Sequence, residues 1–148
     1  MKLEPALQVA NAVAAILVDA DSRYLLQLRD DVPHIWYPGH WGAFGGSVEA
    51  GEGELAALQR ELEEELEFKF TEAREVFRFE FDMRPLGLKS YFRSYYEIVV
   101  NAAQICSLVL HEGAEMRWFA GAEALNLKLV PYDSFALFLH HQRSRLQA

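Results

Sequence analysis

The sequence predicts an α/β fold in which a mixed β-sheet is packed between helices. Strand-like apolar and aromatic patterns occur on both sides of one amphipathic helix in the middle of the chain, and a second helix closes the chain after Pro131. The chain has 148 residues, of which 51% are hydrophobic, and this is enough to bury one core. We therefore expect residues 1–148 to form a single domain.

The beginning of the chain has the pattern of a β-hairpin. Residues 9–19 and 23–29 are strand-like runs on either side of a turn at Asp21 and Ser22. Residues 30–40, with the sequence DDVPHIWYPGH, contain two prolines and a glycine. This composition predicts a loop with aromatic residues near its tip.

The central helix is predicted to begin near Glu54. Its apolar stripe, which should face the core, consists of Leu55, Leu58, Leu62 and Leu66. Glu61, Glu64 and Glu65 fall in a narrow sector about a quarter-turn away from the leucines. Like charges one turn apart cost a few tenths of a kcal/mol, so a cation is expected among them. The alternative is a solvated acidic face.

Three further strands and the closing helix are predicted in the second half of the chain. Residues 74–83 alternate around phenylalanines, and residues 90–101 are rich in tyrosine, so both segments are expected to be strands. Residues 116–119 form a last short strand. The terminal helix has Pro131 in its first turn and continues to about Arg143.

The central segment also carries a motif with fixed spacing. Its positions are Gly46, Glu52, Arg60, Glu61, Leu62, Glu64, Glu65 and Phe68. The segment resembles the Nudix box, in which a glycine precedes a spaced glutamate, an Arg-Glu pair and a Glu-Glu pair. One position departs from the family pattern, because Glu67 stands where the last glycine is usual. Either the helix runs one residue longer, or a left-handed glutamate is accepted at a cost of about 1 kcal/mol or more.

The resemblance implies a Nudix-type α/β/α sandwich with a mixed sheet and a MutT-like pyrophosphohydrolase activity. In that family, water attacks phosphorus in a nucleoside diphosphate linked to another moiety. The substrate would be a (deoxy)nucleoside triphosphate or a nucleotide sugar, and the cofactor Mg²⁺, with Mn²⁺ as a substitute. The alternative is a non-catalytic regulatory domain that binds a nucleotide or metabolite. Such domains usually lose one or more box carboxylates, and all of them are present here.

By the same resemblance, the metal-binding set comprises one backbone carbonyl and four carboxylates. These are Gly45, Glu61, Glu64, Glu65 and Glu115. Glu112 is an alternative to Glu115 as the acidic residue that follows the box. Arg60 is expected to organise the cluster through Glu52 or a neighbouring carboxylate, and Glu61 and Glu64 are both candidates for the general base.

Substrate-binding residues are expected outside the box. Arg29 is a candidate for binding a phosphate, although a surface arginine is equally compatible with its position. Trp36, Tyr37 and Trp41 are candidates for stacking on a base, and the alternative is that they anchor the loop. Asp133 is a candidate for reading the purine edge, and the alternative is that it caps the terminal helix.

Composition limits the partners. The net charge of -8 argues against binding to long nucleic acids, which depends on clustered Lys and Arg. No segment is long enough to span a bilayer. Cys106 is the only cysteine, which indicates a reducing cytoplasm, and it is expected to pack in an apolar stretch. The predicted partner is a small nucleotide, and a homodimer is left open.

Overall fold

A seven-stranded mixed β-sheet forms the centre of the fold, in a computed structural model that describes residue 4 and residues 6–148. The strands are β1 (Ala12–Val18), β2 (Tyr24–Leu28), β3 (Trp41–Gly42), β4 (Phe44–Ser47), β5 (Arg74–Asp82), β6 (Ser90–Val99) and β7 (Glu115–Phe119). The helices are α1 (Glu54–Leu66), α2 (Ala102–Ser107), α3 (Gly121–Ala124) and α4 (Pro131–His141).

Parallel and antiparallel pairing meet at β1. The main path of the sheet has the order β3-β2-β1-β6-β5, while β4 pairs with β1 and β7 pairs with β2. β1 runs parallel to β6, with Ala12 opposite Arg93, and antiparallel to β2 and β4. The predicted hairpin is confirmed, since Val18 lies opposite Tyr24.

The sheet is covered on both faces, and β1 contributes to both layers of the core. Val13 and Leu17 belong to the cluster that contains the leucines of α1. Ala14 and Ile16 belong to the cluster on the other face, which contains Leu137 of α4. A strand with both faces buried is expected to be an almost continuous apolar run, as residues 12–18 are.

Helix α1 follows the predicted apolar stripe with one exception. Leu58, Leu62 and Leu66 are completely buried, whereas Leu55 in the first turn is exposed. The helix ends at Glu67, which adopts the left-handed conformation with φ 54°. Of the two alternatives for this position, the strained turn is the one observed, and its N–H donates to the carbonyl of Glu63 at 3.0 Å.

The remaining strand and helix predictions hold, with shorter boundaries except for β7, which begins one residue earlier than predicted, and four elements were not predicted. These are β3, β4, α2 and α3. The start of α2 has a local signal, because Asn101 and Gln104 form reciprocal side-chain to backbone hydrogen bonds of 2.9 Å. The prediction that Cys106 is packed was wrong: this residue lies on α2 and is exposed.

In the described part of the chain, no helix combines the length and the apolar character that a membrane span requires.

Candidate active site

A cleft of about 540 Å³ brings together most of the predicted site residues. One group in its wall is acidic and comes from α1 and from the loop that holds Glu112. The other group is aromatic and basic and comes from the 29–37 loop, β6 and the start of α4. Together these groups include Arg29, Trp36, Tyr37, Gly45, Gly46, Glu61, Glu65, Arg93, Glu112, Tyr132 and Asp133.

The glycines at the end of β4 allow α1 to approach the sheet closely. A Cβ on residue 46 would collide with the carboxylate of Glu61. The N–H of Gly45 donates to Oε2 of Glu65 at 3.2 Å. The absence of a side chain at Gly46 therefore lets Glu61 lie against the backbone of β4, whereas a Cβ at Gly45 would collide with the backbone of β1 at Val13 and Ala14.

Arg60 holds the loop before α1 to the acidic face of the helix. Its Nε and Nη2 donate to the two carboxylate oxygens of Glu52 at 2.8 and 2.9 Å. Its Nη1 donates to Oε1 of Glu61 at 2.8 Å, and its Nη2 also donates to the Ser47 carbonyl at 3.0 Å. The hydrogen bond from Arg60 lowers the pKa of Glu52 to about 2. This forked pairing fixes the position of the guanidinium and, through it, one oxygen of Glu61.

Glu65 is the buried centre of the acidic group. Its residue surface is only 2% exposed. Burial raises the pKa of its carboxyl to about 10, with further contributions from Glu112 and Glu61, and the Gly45 N–H offsets only part of this. Burial also raises the pKa of Glu61, although Arg60 opposes the change. Arg60 therefore compensates part of the charge of Glu61, while no cation lies among the described neighbours of Glu65.

A hard divalent cation fits this donor set because all of its side-chain donors are carboxylate oxygens. Among the described residues, however, no three acidic, histidine or cysteine side chains form a preformed cage. Mg²⁺ needs no such cage, because it usually takes one or two carboxylates and fills the remaining positions with water and substrate phosphates.

The structure changes the expected acidic residue after the box. Glu112 approaches Glu65 and raises its pKa. The chain is held there because the N–H groups of Val109 and His111 donate to the carbonyls of Leu66 and Glu65 at 3.0 and 2.8 Å, at the end of α1.

Glu115 is absent from the cleft wall, whereas Glu112, the alternative for the acidic residue after the box, lines it. Glu115 begins β7 opposite Leu28, and its carboxylate pairs with Arg117, two residues along the strand. Residues two apart project from the same face of a strand, which explains the pair. Glu64 also lies outside the cleft wall: its side chain is 61% exposed and 3.6 Å from Nη1 of Arg60.

Four of the predicted substrate-binding residues lie in the cleft wall, and three of these come from the 29–37 loop. Arg29 donates through Nε to the Trp36 carbonyl at 2.8 Å, and the Trp36 indole N–H donates to the Gln8 carbonyl at 2.8 Å. The ring of Tyr37 meets that of Tyr132 edge to face, with centroids 5.8 Å apart. These contacts fix the loop while leaving its aromatic side chains beside the cleft.

Trp41, predicted as a candidate for stacking on a base, is not part of the cleft wall. Its ring packs edge to face on Phe119 at 4.9 Å, and it lies against the core cluster on the α4 side. Its position on β3 directs it into the core, which corresponds to the anchoring alternative.

Asp133 is buried, and it does not cap its helix. The helix begins after Val130 without a side-chain cap. Both carboxylate oxygens of Asp133 instead accept hydrogen bonds from residues in or next to the strands of the sheet. Oδ2 accepts from the Ala43 N–H at 3.0 Å, and Oδ1 accepts from the Tyr95 hydroxyl at 2.6 Å and from Arg93 at 3.1 Å.

Arg93 and Tyr95 were missed by the sequence reasoning. Both occupy alternate positions on β6, where side chains project to one face. The guanidinium of Arg93 lies 4.6 Å from the centre of the Tyr132 ring. An arginine in a strand that is otherwise largely aromatic was the available signal, because a buried guanidinium requires a carboxylate partner.

The model of the NUDIX domain family matches residues 9–139. The chain belongs to this family, and both the family prediction and the predicted fold class are confirmed.

Individual relatives match the chain over a short segment or at low sequence identity. Nudix hydrolase 3 of Arabidopsis thaliana is 46% identical over 55 residues, which are 36% of this chain. The chain spans only 7% of the length of that curated relative. The MutT protein of Methanosarcina mazei Go1 has the same fold, with a TM-score of 0.73 at 20% identity over 99% of this chain and 100% of that one.

A further structure is that of the NUDIX domain of Shewanella oneidensis NrtR complexed with ADP ribose. Its TM-score is 0.66 at 19% identity, over 97% of this chain and 90% of that one. Likeness at this level of identity establishes the common fold.

Proposed function

We propose that this protein is a pyrophosphohydrolase that requires Mg²⁺, or Mn²⁺ in its place, and cleaves a nucleoside diphosphate linked to another moiety. The observation that carries the proposal is Glu65, a buried carboxylate that has two further carboxylates beside it and no cation among its described contacts. Membership of the NUDIX family supports the same activity. A bound divalent cation would supply screening of the diphosphate charge and would acidify the attacking water.

The residues of the chain would bind the cation and hold its ligands in place. Glu61, Glu65 and Glu112 provide oxygen donors, with the carbonyl of Gly45 as a further donor in the expected set. Arg60 holds Glu61 in place through Oε1, which leaves Oε2 for the cation or for a proton. Glu64 remains in the proposed ligand set although it faces solvent, because it adjoins the cluster through Arg60.

The general base is Glu61 or Glu64. A base must come within hydrogen-bonding distance of the attacking water. Glu61 lines the cleft, and burial raises the pKa of its carboxyl, which favours the uptake of a proton. Glu64 satisfies the requirement only if its exposed side chain turns into the cleft when substrate binds.

The substrate is a (deoxy)nucleoside triphosphate or a nucleotide sugar. Arg29 and the aromatic wall are suited to a phosphate and a base that lie beside the acidic group. The solved neighbour with bound ADP ribose shows that a related domain accepts a linked nucleoside diphosphate. A net charge of -8 supports a small nucleotide rather than a long nucleic acid, and the single cysteine supports a reducing, cytoplasmic setting.

The decisive experiment is a substrate panel with product identification. Nucleoside monophosphate with pyrophosphate indicates a triphosphate substrate, whereas nucleoside monophosphate with sugar phosphate indicates a nucleotide sugar. Turnover should require added Mg²⁺ or Mn²⁺ and stop on chelation.

The Glu64→Gln variant tests the metal assignment within the same assay. Because a metal ligand acts in the transition state, kcat should fall by roughly 10² or more. Glu63→Gln is the matched control, because Glu63 lies one residue away on α1 and is paired with Lys69 at 3.8 Å, outside the cluster. Wild-type turnover in Glu64→Gln would remove Glu64 from the site. Nucleotide binding without turnover of any substrate would indicate the regulatory alternative.

A further inference from the structure

Strand β5 forms an open edge of the sheet. It lies at the end of the strand path and pairs only with β6 among the described residues. Most of its residues are exposed, in contrast to β1 at the centre. An edge of this length offers unpaired backbone N–H and C=O groups to another strand.

The edge is accompanied by an apolar surface on the α4 side of the sheet. Phe77, Phe79 and Phe81 lie opposite Tyr95, Arg93 and Tyr91 of β6 and share their face. Phe79 stacks on Phe135 of α4, with ring centres 5.5 Å apart.

Three phenylalanines of this surface are largely exposed: Phe81 at 39%, Phe135 at 54% and Phe138 at 48%. We call Phe77, Phe79, Phe81, Phe135 and Phe138 the phenylalanine surface. A group of exposed and half-exposed apolar side chains beside an open edge is typical of an interaction site.

We propose that a second copy of this chain docks on β5, with the two β5 strands antiparallel about a two-fold axis at Phe79. The two sheets would become one continuous sheet, with both α4 helices on the same side. The phenylalanine surfaces of the two copies would then adjoin. Phe79 would meet Phe79 of the second copy, and Phe81 would meet Phe77 of the second copy.

The charges of β5 select this register. With the axis at Phe79, Arg78 lies opposite Glu80 of the second copy, and Glu80 lies opposite Arg78 of the second copy. Opposite charges in directly facing positions stabilise antiparallel pairs. An axis at Arg78 or at Glu80 would place that residue opposite its own copy, so like charges would face each other.

Charged residues on an edge strand often prevent pairing, and that is the competing explanation for Arg78 and Glu80. Such protection works best when the charges have one sign. Here Arg78 and Glu80 carry opposite charges on either side of Phe79. Only the two-fold register centred on Phe79 places these two residues opposite each other, and the registers centred on Arg78 or on Glu80 bring like charges together. The exposed rings next to the edge would also remain without cover if the strand stayed unpaired.

The geometry links this surface to the cleft. Phe81 belongs both to the phenylalanine surface and to the cleft wall. Docking of the second copy would therefore pack Phe77 of the second copy against a residue that lines the substrate cleft. The proposal concerns assembly, and its test does not depend on which substrate is hydrolysed.

The test is a charge exchange followed by sedimentation over a concentration series. The wild type should be a dimer. Arg78→Glu places Glu opposite Glu, and Glu80→Arg places Arg opposite Arg, so each variant alone should weaken association at least tenfold. An equimolar mixture of the two variants restores both opposite-charge pairs, as does the double variant, and both should recover the dimer.

Two controls separate assembly from folding. Lys69→Glu makes the same change of charge as Arg78→Glu at a site away from β5 and should leave the dimer intact. Arg78 also contacts Glu54 at 2.9 Å, and Glu80 lies 3.7 Å from Arg78 of its own strand. Thermal unfolding of each variant therefore checks the fold. A monomeric wild type, a dimer unaffected by Glu80→Arg, or failure of the mixture to recover the dimer would each overturn the proposal.

Discussion

Glu65 and Asp133 are two carboxylates in one cleft wall, both 2% exposed, and their surroundings are opposite. Asp133 accepts hydrogen bonds from a backbone N–H, a tyrosine hydroxyl and the guanidinium of Arg93. Glu65 accepts one backbone hydrogen bond from Gly45 and has Glu61 and Glu112 as charged neighbours. The two carboxylates are therefore equally buried, but only the charge of Asp133 is compensated by hydrogen-bond donors and a cation, while that of Glu65 is not.

This difference separates a structural carboxylate from a ligand. A buried charge with its donors in place holds elements together, and removing it leaves those donors unpaired. A buried carboxylate beside other carboxylates binds a proton or a cation. The two residues should consequently respond in opposite directions to substitution.

The largest loss of stability from a substitution at constant pH is expected from Asp133→Ala. It leaves the Arg93 guanidinium and the Tyr95 hydroxyl without their partner, so the free energy of unfolding should fall by about 3 to 5 kcal/mol. Urea unfolding measures the change. Asp133→Asn, which keeps the volume and one acceptor, should lose less. A loss below about 1 kcal/mol for the alanine variant would remove the structural contrast with Glu65.

Glu65→Gln should abolish a dependence of stability on pH in the metal-free protein. The pKa of Glu65 is about 10 in the folded protein, against an ordinary value of 4.5. Between these values the folded state holds a proton that the unfolded state has lost. The stabilisation is therefore complete below 4.5 and is lost as the pH rises towards 10, by about 1.4 kcal/mol per unit.

The measurement is a pH series of urea unfolding in chelator, with wild type and Glu65→Gln compared. The variant should remove the slope that this carboxyl contributes, and saturating Mg²⁺ should flatten the wild-type curve because the cation replaces the proton. Identical slopes for the two proteins would mean that Glu65 does not take up a proton on folding.

Asp133→Asn also tests whether the structural carboxylate selects the base. A side chain that hydrogen-bonds the base discriminates by about 1 to 3 kcal/mol. The ratio of kcat/KM between purine and pyrimidine substrates should change tenfold or more, while the metal requirement stays the same. An unchanged ratio would limit Asp133 to its contacts with the sheet and leave base selection to the aromatic wall.

The smallest effect is expected at Glu67, next to the helix that carries Glu65. Glu67 is in the left-handed conformation at φ 54°, so Glu67→Gly should raise the free energy of unfolding by about 0.5 to 1 kcal/mol. Its exposed pair with His111 at 2.7 Å should offset little of this gain. Metal-saturated turnover should be nearly unchanged. Glu67→Ala is the control, because it removes the carboxylate and keeps the strain, and a large loss of activity in either variant would place Glu67 in the site.

Local periodicity made the acidic part of the site on α1 predictable. The leucine stripe and the glutamate sector of α1 follow from 3.6 residues per turn, and the box spacing identified the family before any contact was known. Strand patterns predicted the hairpin and the positions of β5 and β6 in the same way. The short elements β3, β4, α2 and α3 were not predicted, because two to six residues carry too little periodicity to be recognised.

By itself, the sequence determined the family, the class of fold and the carboxylates of the central helix, because these depend on residues close together in the chain. The tertiary structure alone decided that Glu112 joins the acidic group while Glu115 does not, because hydrogen bonds to the end of α1 position the loop. It also decided the surroundings of Asp133, whose partners Ala43 and Tyr95 are 90 and 38 residues away. Whether a buried carboxylate is compensated depends on groups that only folding brings together.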